Sequence, residues 1–225
     1  MNIVFSLGGS ILAPDEIDQS FLEEVTDFLR ELTQKHKVYV VVGGGKIARK
    51  YQQAARKLNA SDELLDWLGI YATRLNALLL SSAIGKRANR QIPQTVAEAI
   101  AQAKSKEIVV MGGTDPNHST DAVAAEIAEK TNANLFINAS NIEGVYDKDP
   151  KTNTDAKLIS EMTAQNLLEK VSKIPQSPGN YALMDKMAVE SIIRSKVKTI
   201  ILHGHDLENL KDVINGESFT GTVIN

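Results

Sequence analysis

Short apolar runs alternate with longer amphipathic segments along almost the whole chain. Apolar runs bounded by glycine or polar clusters are typical of buried strands. The predicted strands cover residues 3–7, 38–42, 108–111, 135–137 and 199–202. Residues 220–224 are predicted to form a hairpin end or an edge strand.

The longer segments carry apolar residues at helical spacing, as Phe21, Val25 and Phe28 illustrate in the first of them. Pro93 can open a helix at its first turn, and Thr120 can cap the start of another. The predicted helices cover residues 21–32, 47–58, 62–86, 93–103, 121–130, 164–171, 183–194 and 207–214.

This alternation predicts an α/β fold with an open, mainly parallel sheet covered on both faces. Ligands of such sheets bind at the carboxyl ends of the strands. Residues 138–155 are rich in Asn, Asp, Gly and Pro and are the best candidate for a boundary between two lobes of one domain. Residues 173–180 contain Pro and Gly and are predicted to be mobile, as a lid or as a passive surface loop.

Composition narrows the class of protein. The chain has 225 residues, of which 43% are hydrophobic and 24% charged, as is ordinary for a soluble globular protein. The net charge of −3 provides no basic field, so we expect neither nucleic acid nor a membrane as a partner. The absence of cysteine excludes disulfides and thiolate metal sites. No signal peptide or membrane span is apparent, so we expect a cytoplasmic protein.

Glycine clusters follow three of the predicted strands. Glycine permits sharp turns and close approach of a ligand to backbone amides, and amides at a helix start bind anions. Three such corners at one sheet edge could hold several phosphates, although each alone could simply make a tight turn. The corners are Gly8-Gly9-Ser10, Gly43-Gly44-Gly45 and Gly112-Gly113-Thr114.

Two common phosphate-binding motifs fit the central corner poorly. The P-loop pattern requires Ser or Thr after Gly-Lys, but Ile47 follows Gly45-Lys46. The dinucleotide pattern G-x-G-x-x-A matches at Gly43, Gly45 and Ala48. However, a second helix follows this one instead of the strand that would read the ribose, which argues against a dehydrogenase.

Polar residues cluster at the same corners. Lys46 and Arg49 lie on the first turns of the helix after the triple glycine, where an Arg can grip phosphate with two donors or simply face solvent. Asp66 lies inside the long helix and is either surface charge or a ribose ligand. After the third strand, Thr114, His118, Ser119, Thr120 and Asp121 suit a phosphate or a base edge, or a plain capped helix.

These motifs together resemble the amino acid kinase superfamily, and within it the UMP kinases in their archaeal form. The resemblance covers almost the whole chain and follows the family's order of motifs. It rests on the strand-Gly-Gly-Ser start, Val-Val-Gly-Gly-Gly-Lys-x-Ala-Arg, Gly-Gly-Thr followed by Thr-Asp-Ala, and Asn-x-Glu-Gly-Val-Tyr-Asp-Lys-Asp-Pro.

The resemblance implies a three-layer α/β/α sandwich, with a UMP lobe at about 1–137 and an ATP lobe at about 138–225. It also implies a homohexamer built as a trimer of dimers. The sequence shows no acidic cluster with metal-ligand spacing, so we expect Mg²⁺ to arrive with ATP. The residues implied for ATP are Ser6, Leu7, Gly8, Gly9, Ser10, Gly45, Arg49, Ser140, Asn141, Tyr146 and Asp149. Those implied for UMP are Gly44, Asp66, Thr114, Asp115, Pro116, Asn117, His118, Ser119, Thr120 and Asp121.

The chain departs from the family at one charged position. Many relatives carry a lysine two residues before the first glycine pair, where this chain has Ser6, and Asn141 matches an aspartate that organises the site in some of them. Because phosphoryl transfer needs a cation, we hypothesise that Lys46 and Arg49 are the catalytic residues.

Two other functions remain open at this point. A superfamily kinase could act on a carboxylate, a carbamate or isopentenyl phosphate, or the chain could be a nucleotide-binding protein that has lost catalysis. The apolar stripe on the helix at 62–86 could serve either a dimer interface or the core.

Overall fold

The computed structural model describes residues 1–14, 16–173 and 184–225. Within these residues one seven-stranded sheet has the order β3-β2-β1-β4-β6-β7-β5. All neighbouring strands are parallel except β6 and β7. The strands are β1 (Asn2–Leu7), β2 (Lys37–Val42), β3 (Ile108–Met111), β4 (Leu135–Ser140), β5 (Glu161–Met162), β6 (Thr199–His203) and β7 (Thr222–Ile224).

Helices cover both faces of the sheet. The second, fourth and ninth pack on one face, and the fifth to eighth pack on the other. The three-layer α/β/α fold with a mainly parallel sheet is therefore confirmed. The helices are α1 (Gly9–Leu12), α2 (Gln19–Leu32), α3 (Gly45–Lys57), α4 (Asp62–Ile84), α5 (Val96–Gln102), α6 (Thr120–Lys130), α7 (Ala164–Ser172), α8 (Lys186–Ser195) and α9 (Leu207–Asn215).

The central strands are apolar on both sides because both sides are covered. Along β1, Ile3 and Phe5 enter the core under α2 and α4, whereas Val4 enters the core under α6. Strand side chains alternate between faces, so a doubly covered strand is a continuous apolar run without alternation. This explains why the central strands could be predicted from their composition.

Helix starts differ from the predictions where a capping side chain decides them. Helix α5 begins at Val96 and not at Pro93, since the Thr95 hydroxyl accepts from the Glu98 amide and the Glu98 carboxylate accepts from the Gln94 amide. This reciprocal pair satisfies the Glu98 amide, which the first helical turn leaves without an intrahelical partner, and the Gln94 amide just before the cap.

The predicted cap of α6 is displaced by one residue. The Ser119 hydroxyl accepts from the Ala122 amide at 3.0 Å, and Thr120 is the first helical residue. Helix α8 begins at Lys186 and is capped by Asp185. The predicted start at residue 183 lies outside the described residues. The predicted mobile loop at 173–180 also lies outside them, apart from its first residue.

The predicted loop after residue 137 is wrong at its start, because β4 continues to Ser140 in register with β6. Asn138 occupies a buried strand position, where its amide finds a polar partner. At the other end of the sheet, β7 pairs with both β6 and β5, so β5 is the edge strand and β7 is not. Helix α1 and strand β5 were not predicted, since four and two residues carry no periodic pattern.

No helix in the described ranges combines the length and the apolar character that crossing a bilayer requires.

Candidate active site

Two glycine corners meet backbone to backbone at the carboxyl edge of the sheet. A side chain added at Gly9 would place its Cβ 2.2 Å from the Gly45 nitrogen and 2.3 Å from the Gly43 oxygen. Real Cβ atoms do not approach backbone this closely, so only glycine fits position 9. Gly45 has a φ of +62°, a left-handed conformation that glycine adopts without steric cost. The two corners therefore form one continuous backbone surface.

Helix α4 links the central corner to the third one. The Asn76 amide donates to the Gly43 carbonyl at 2.9 Å, and the Thr73 hydroxyl accepts from the Gly113 amide at 2.7 Å. Both side chains are buried. All three corners are therefore held at fixed positions around the start of α3 and the middle of α4.

A cavity of about 390 Å³ opens between α3, α4 and the segment after β3. This volume lies in the usual range for small-molecule sites. Its walls combine glycine backbone, a cation, carboxylates and hydroxyls, which suits a ligand with both an anionic and a polar part. The lining residues are Gly44, Gly45, Ala48, Arg49, Gln52, Asp66, Gly69, Ile70, Thr73, Gly113, Asp115, Asn117, His118, Ser119 and Thr120.

Most residues predicted for the acceptor come together in this cavity. Gly44, Asp66, Asp115 and the run 117–120 line it, although Asp66 lies about fifty positions earlier in the chain. Thr114, Pro116 and Asp121 do not line it. The sequence reasoning named Gly113 only as part of the third glycine corner, and it missed Ala48, Gln52, Gly69, Ile70 and Thr73 as lining residues. Helical spacing from Arg49 and Asp66 was the signal that could have found Gln52, Gly69, Ile70 and Thr73.

Asp66 fixes the turn that closes the cavity. Its Oδ2 accepts from the Asn117 amide at 3.0 Å. Asn117 has a φ of +64°, and the His118 amide donates to the Asp115 carbonyl across the same turn. Asn tolerates the left-handed region better than most residues. The Asp66 carboxylate thus orders the segment at residues 114–120, called the acceptor segment below. Its second oxygen can still accept from a ligand hydroxyl.

Arg49 reaches both the cavity and the first glycine corner. Its side chain lines the cavity, and its NH2 group donates to the Ser10 hydroxyl at 3.2 Å. Helix α3 starts at Gly45, so the guanidinium adds its charge to the positive end of the helix dipole. An anion held at either place would meet this cation.

Lys46 occupies the first turn of the same helix, where it is half-buried. It does not line the cavity. Its assignment as a catalytic residue stays a prediction, and the geometry favours Arg49 as the group that faces both halves of the site.

Asp121 follows the last residue of the run that lines the cavity but does not line it itself, and it is half-buried. Its Oδ1 accepts from the Ser6 hydroxyl at 2.6 Å and from the Asn138 amide at 2.9 Å. These contacts tie the first turn of α6 to β1 and β4. Ser6, which stands where many relatives have a lysine, therefore donates a hydrogen bond to a carboxyl group.

Burial, together with the nearby carboxylate of Asp185, raises the pKa of Asp121 to about 6, although the hydrogen bonds from Ser6 and Asn138 act to lower it. Burial also raises the pKa of Asp185. Asp185 accepts from the Ser119 hydroxyl and caps α8 through the Ala188 amide. The sequence reasoning missed this residue, although an Asp directly before a helix is a recognisable cap.

The titration of Asp121 should appear as a pH-dependent stability. The folded protein holds this proton more tightly than the unfolded chain does, so its contribution falls as pH rises from about 4 to about 6. We expect Asp121→Asn, which keeps an oxygen for both donors, to gain about 3 kcal/mol over wild type across this window, at ~1.36 kcal/mol per pKa unit.

Urea unfolding of both proteins between about pH 3.5 and pH 7.5 measures this difference. Groups that do not interact with Asp121 titrate equally in the two proteins and cancel, and the loss of repulsion with Asp185 acts in the same direction as the expected gain. A difference between variant and wild type that does not change with pH would contradict the assignment.

The residues predicted for the ATP phosphates lie at the same edge of the sheet. The Gly8 amide donates to the Ala139 carbonyl at 2.9 Å, so the first corner lies beside Ser140. The Ser140 hydroxyl oxygen is buried and has no partner among the described residues. Leu7 is buried in the core and Ser6 is engaged by Asp121, so neither presents a free side-chain donor here.

The residues predicted for adenosine follow β4 but line no cavity described here. Asn141 is exposed directly after the strand. The Tyr146 hydroxyl donates to Glu143, and the Asp149 carboxylate accepts from the Lys151 amide and holds a turn. Their role in binding stays a prediction.

In the part of the chain that the structure describes, no three His, Asp or Glu side chains are arranged to hold a metal ion.

Comparison with known proteins is consistent with this geometry. Residues 1–203 match the sequence profile of the amino acid kinase family. The chain is 44% identical to a uridylate kinase of Methanobrevibacter smithii and 41% identical to one of Thermococcus kodakarensis, over all of this chain and 99% of each relative.

Solved structures agree with the sequence relatives. A crystal structure of uridylate kinase from Archaeoglobus fulgidus matches with a TM-score of 0.90 and 43% identity over the full length of both chains. A UMP kinase from Bacillus anthracis shares the fold, with a TM-score of 0.82 at 20% identity over 95% of its length. From the family match and the identity over the full length, the chain belongs to the amino acid kinase family.

Proposed function

We propose that the chain is a nucleoside monophosphate kinase that transfers the γ-phosphoryl group of ATP to UMP, giving ADP and UDP for pyrimidine nucleotide synthesis. One observation carries the proposal: Arg49 lines the acceptor cavity and also contacts Ser10 in the phosphate corner. The relatives that match over the full chain are named uridylate kinases, which supports UMP as the acceptor.

The two substrates divide between the two halves of the site. UMP occupies the cavity, with its ribose at Asp66 and its phosphate towards Gly44 and Arg49. ATP lies along the first corner and the end of β4, near Gly8 and Ser140. In this division residues 1–137 form the acceptor lobe and residues 138–225 the donor lobe.

The chemistry needs positioning and charge compensation more than acid–base help. An oxygen of the UMP phosphate forms the new bond to the γ-phosphorus, while the bond between that phosphorus and the bridging β–γ oxygen breaks and ADP leaves. The attacking phosphate is already ionised, so no general base is required. Two anions must approach in line, and the Arg49 guanidinium and the amides at the start of α3 offset their repulsion.

Mg²⁺ is proposed to arrive with ATP, held by phosphate oxygens and water, as this ion usually is. When bound it supplies further charge neutralisation of the phosphates. Asp121 is already hydrogen-bonded to Ser6 and Asn138, so it does not suit the ion as a ligand.

A coupled ADP-release assay with four acceptors tests the proposal. We expect UMP to give the highest kcat/KM, CMP a lower one, and acetylglutamate and isopentenyl phosphate no turnover above background. Preference for either of the last two would replace UMP with another acceptor. Tight binding of ATP and UMP without transfer would instead favour a regulatory protein that has lost catalysis.

The assembly is proposed to be a cytoplasmic homohexamer built from dimers. Helix α4 exposes large apolar side chains along one face, including Tyr71 at 62% and Leu75 at 61%, with Leu64 and Leu78 beside them. Such a stripe suits burial against a second copy of the same chain. Light scattering from the purified protein should give the mass of six subunits, and a monomeric mass would contradict the proposal.

A further inference from the structure

Arg74, on helix α4, forms two hydrogen bonds with the backbone of the third glycine corner. Its Nε donates to the Gly113 carbonyl at 3.0 Å and its NH2 group donates to the Thr114 carbonyl at 2.9 Å. Both carbonyls belong to the segment that enters the acceptor cavity, yet Arg74 itself does not line that cavity. The guanidinium therefore contacts the segment without reaching the ligand space.

These two bonds set the orientation of two consecutive peptide units. The described chain contains no cis peptide, and in a trans peptide the carbonyl and the amide point in opposite directions. With the carbonyls of Gly113 and Thr114 turned to Arg74, the amides of Thr114 and Asp115 point away from it. The carbonyl lone pairs, which would repel an anionic ligand, are thereby turned to a side chain outside the cavity.

Side chains of helix α4 form hydrogen bonds with both backbone groups of Gly113. The Gly113 amide donates to the Thr73 hydroxyl, and the Gly113 carbonyl accepts from Arg74. An alanine at the preceding Gly112 would place its Cβ 2.6 Å from the Thr73 hydroxyl and 2.7 Å from the Arg74 amide nitrogen. The third glycine corner thus packs directly against helix α4, with no space for a side chain at Gly112.

We propose that Arg74 is a positioning residue that orients the Gly113–Asp115 peptide units for the acceptor nucleotide. The inference rests on the proposed function, because it assigns the cavity to UMP. Arg suits the task because its planar fork reaches two carbonyls at once and its charge strengthens both hydrogen bonds. A lysine can carry the charge but cannot fix two peptide planes together.

Loss of Arg74 is expected to change the KM values for the two substrates differently. Arg74 acts on the acceptor segment alone, so its loss should raise the KM for UMP and leave the KM for ATP nearly unchanged. A residue that only stabilised the fold would lower the fraction of active enzyme and leave both KM values as they were.

Arg30 provides a matched control in the same protein. Its Nε and NH2 groups donate to the consecutive carbonyls of Ile84 and Ala83 at the end of α4, which is the same pattern of contacts. Neither carbonyl lines the cavity. Arg30→Gln therefore removes an equivalent pair of bonds at a place remote from the acceptor segment.

The experiment measures steady-state kinetics of wild type, Arg74→Gln, Arg74→Lys and Arg30→Gln with each substrate varied. We expect Arg74→Gln to raise the KM for UMP about tenfold or more, with the KM for ATP within about twofold. Arg74→Lys should recover part of the loss, and Arg30→Gln should leave the ratio of the two KM values at the wild-type level.

An unchanged KM ratio in Arg74→Gln, with wild type active on UMP, would overturn the positioning role and leave the proposed function intact. Equal shifts in Arg30→Gln and Arg74→Gln would also overturn it. Wild type without UMP turnover would contradict the proposed function itself. The same four proteins would then be assayed with whichever acceptor the wild type uses, and an unchanged KM ratio for that acceptor would overturn the role of Arg74.

Discussion

Gly9→Ala is expected to reduce kcat/KM for UMP at least about a hundredfold, the scale on which a misplacement of roughly 1 Å acts on catalysis. The added Cβ would lie 2.2 Å from the Gly45 nitrogen and 2.3 Å from the Gly43 oxygen. All of its close neighbours are backbone atoms, which cannot rotate away. The first and central corners must therefore separate, and with them the proposed donor and acceptor phosphates.

The neighbouring glycine supplies the control. An alanine at Gly8 would place its Cβ 3.4 Å from the Ala139 oxygen, a tight but tolerable contact, with an ordinary backbone conformation. We expect Gly8→Ala to keep nearly the wild-type unfolding midpoint, whereas overpacking at Gly9 costs about 1–3 kcal/mol or more. Full activity in Gly9→Ala would show that the two corners need not touch in the working enzyme.

Arg49→Ala is expected to lower kcat by about 10²–10³-fold, as removal of a single group that stabilises transition-state charge usually does. The side chain faces the acceptor cavity and contacts Ser10 at the donor corner, so it meets the charge that develops between the two phosphates. Single-turnover measurements at saturating ATP and UMP separate this effect from weaker binding.

Lys46→Ala and Arg56→Ala complete this comparison. Arg56 is an exposed cation on the last turn of the same helix, so its loss should leave kcat unchanged. If Lys46→Ala lost kcat while Arg49→Ala kept it, the principal cation would be Lys46. Loss in both variants would mean that the two side chains share the charge of the transferred group.

Local patterns made much of the fold predictable. The central strands are apolar runs because they are covered on both faces, and the glycine corners follow them directly. These features depend only on neighbouring residues, so they can be seen in a single sequence. Asn138 was assigned to a loop because Asn is rare in strands, and its partner Asp121 lies on a distant helix.

The supports of the site could not be predicted in the same way. Arg74 and Gly113 are separated by 39 positions, and Asn76 and Gly43 by 33. Their contacts depend on how α4 lies across the ends of β2 and β3, which no local spacing encodes. The same holds for Asp121: its contacts with Ser6 and Asn138 depend on how α6 lies against β1 and β4, and its role towards the acceptor stays a prediction.

Different faces of α4 serve two different purposes. Thr73, Arg74 and Asn76 grip the glycine corners, while Tyr71 and Leu75 project into solvent on the face proposed for assembly. A helix is too stiff to shift on one side alone. If subunits meet there, docking and acceptor binding become thermodynamically linked, and the linkage is reciprocal. Dilution that separates the subunits would then change the affinity for UMP, and saturating UMP would change the subunit affinity by the same factor.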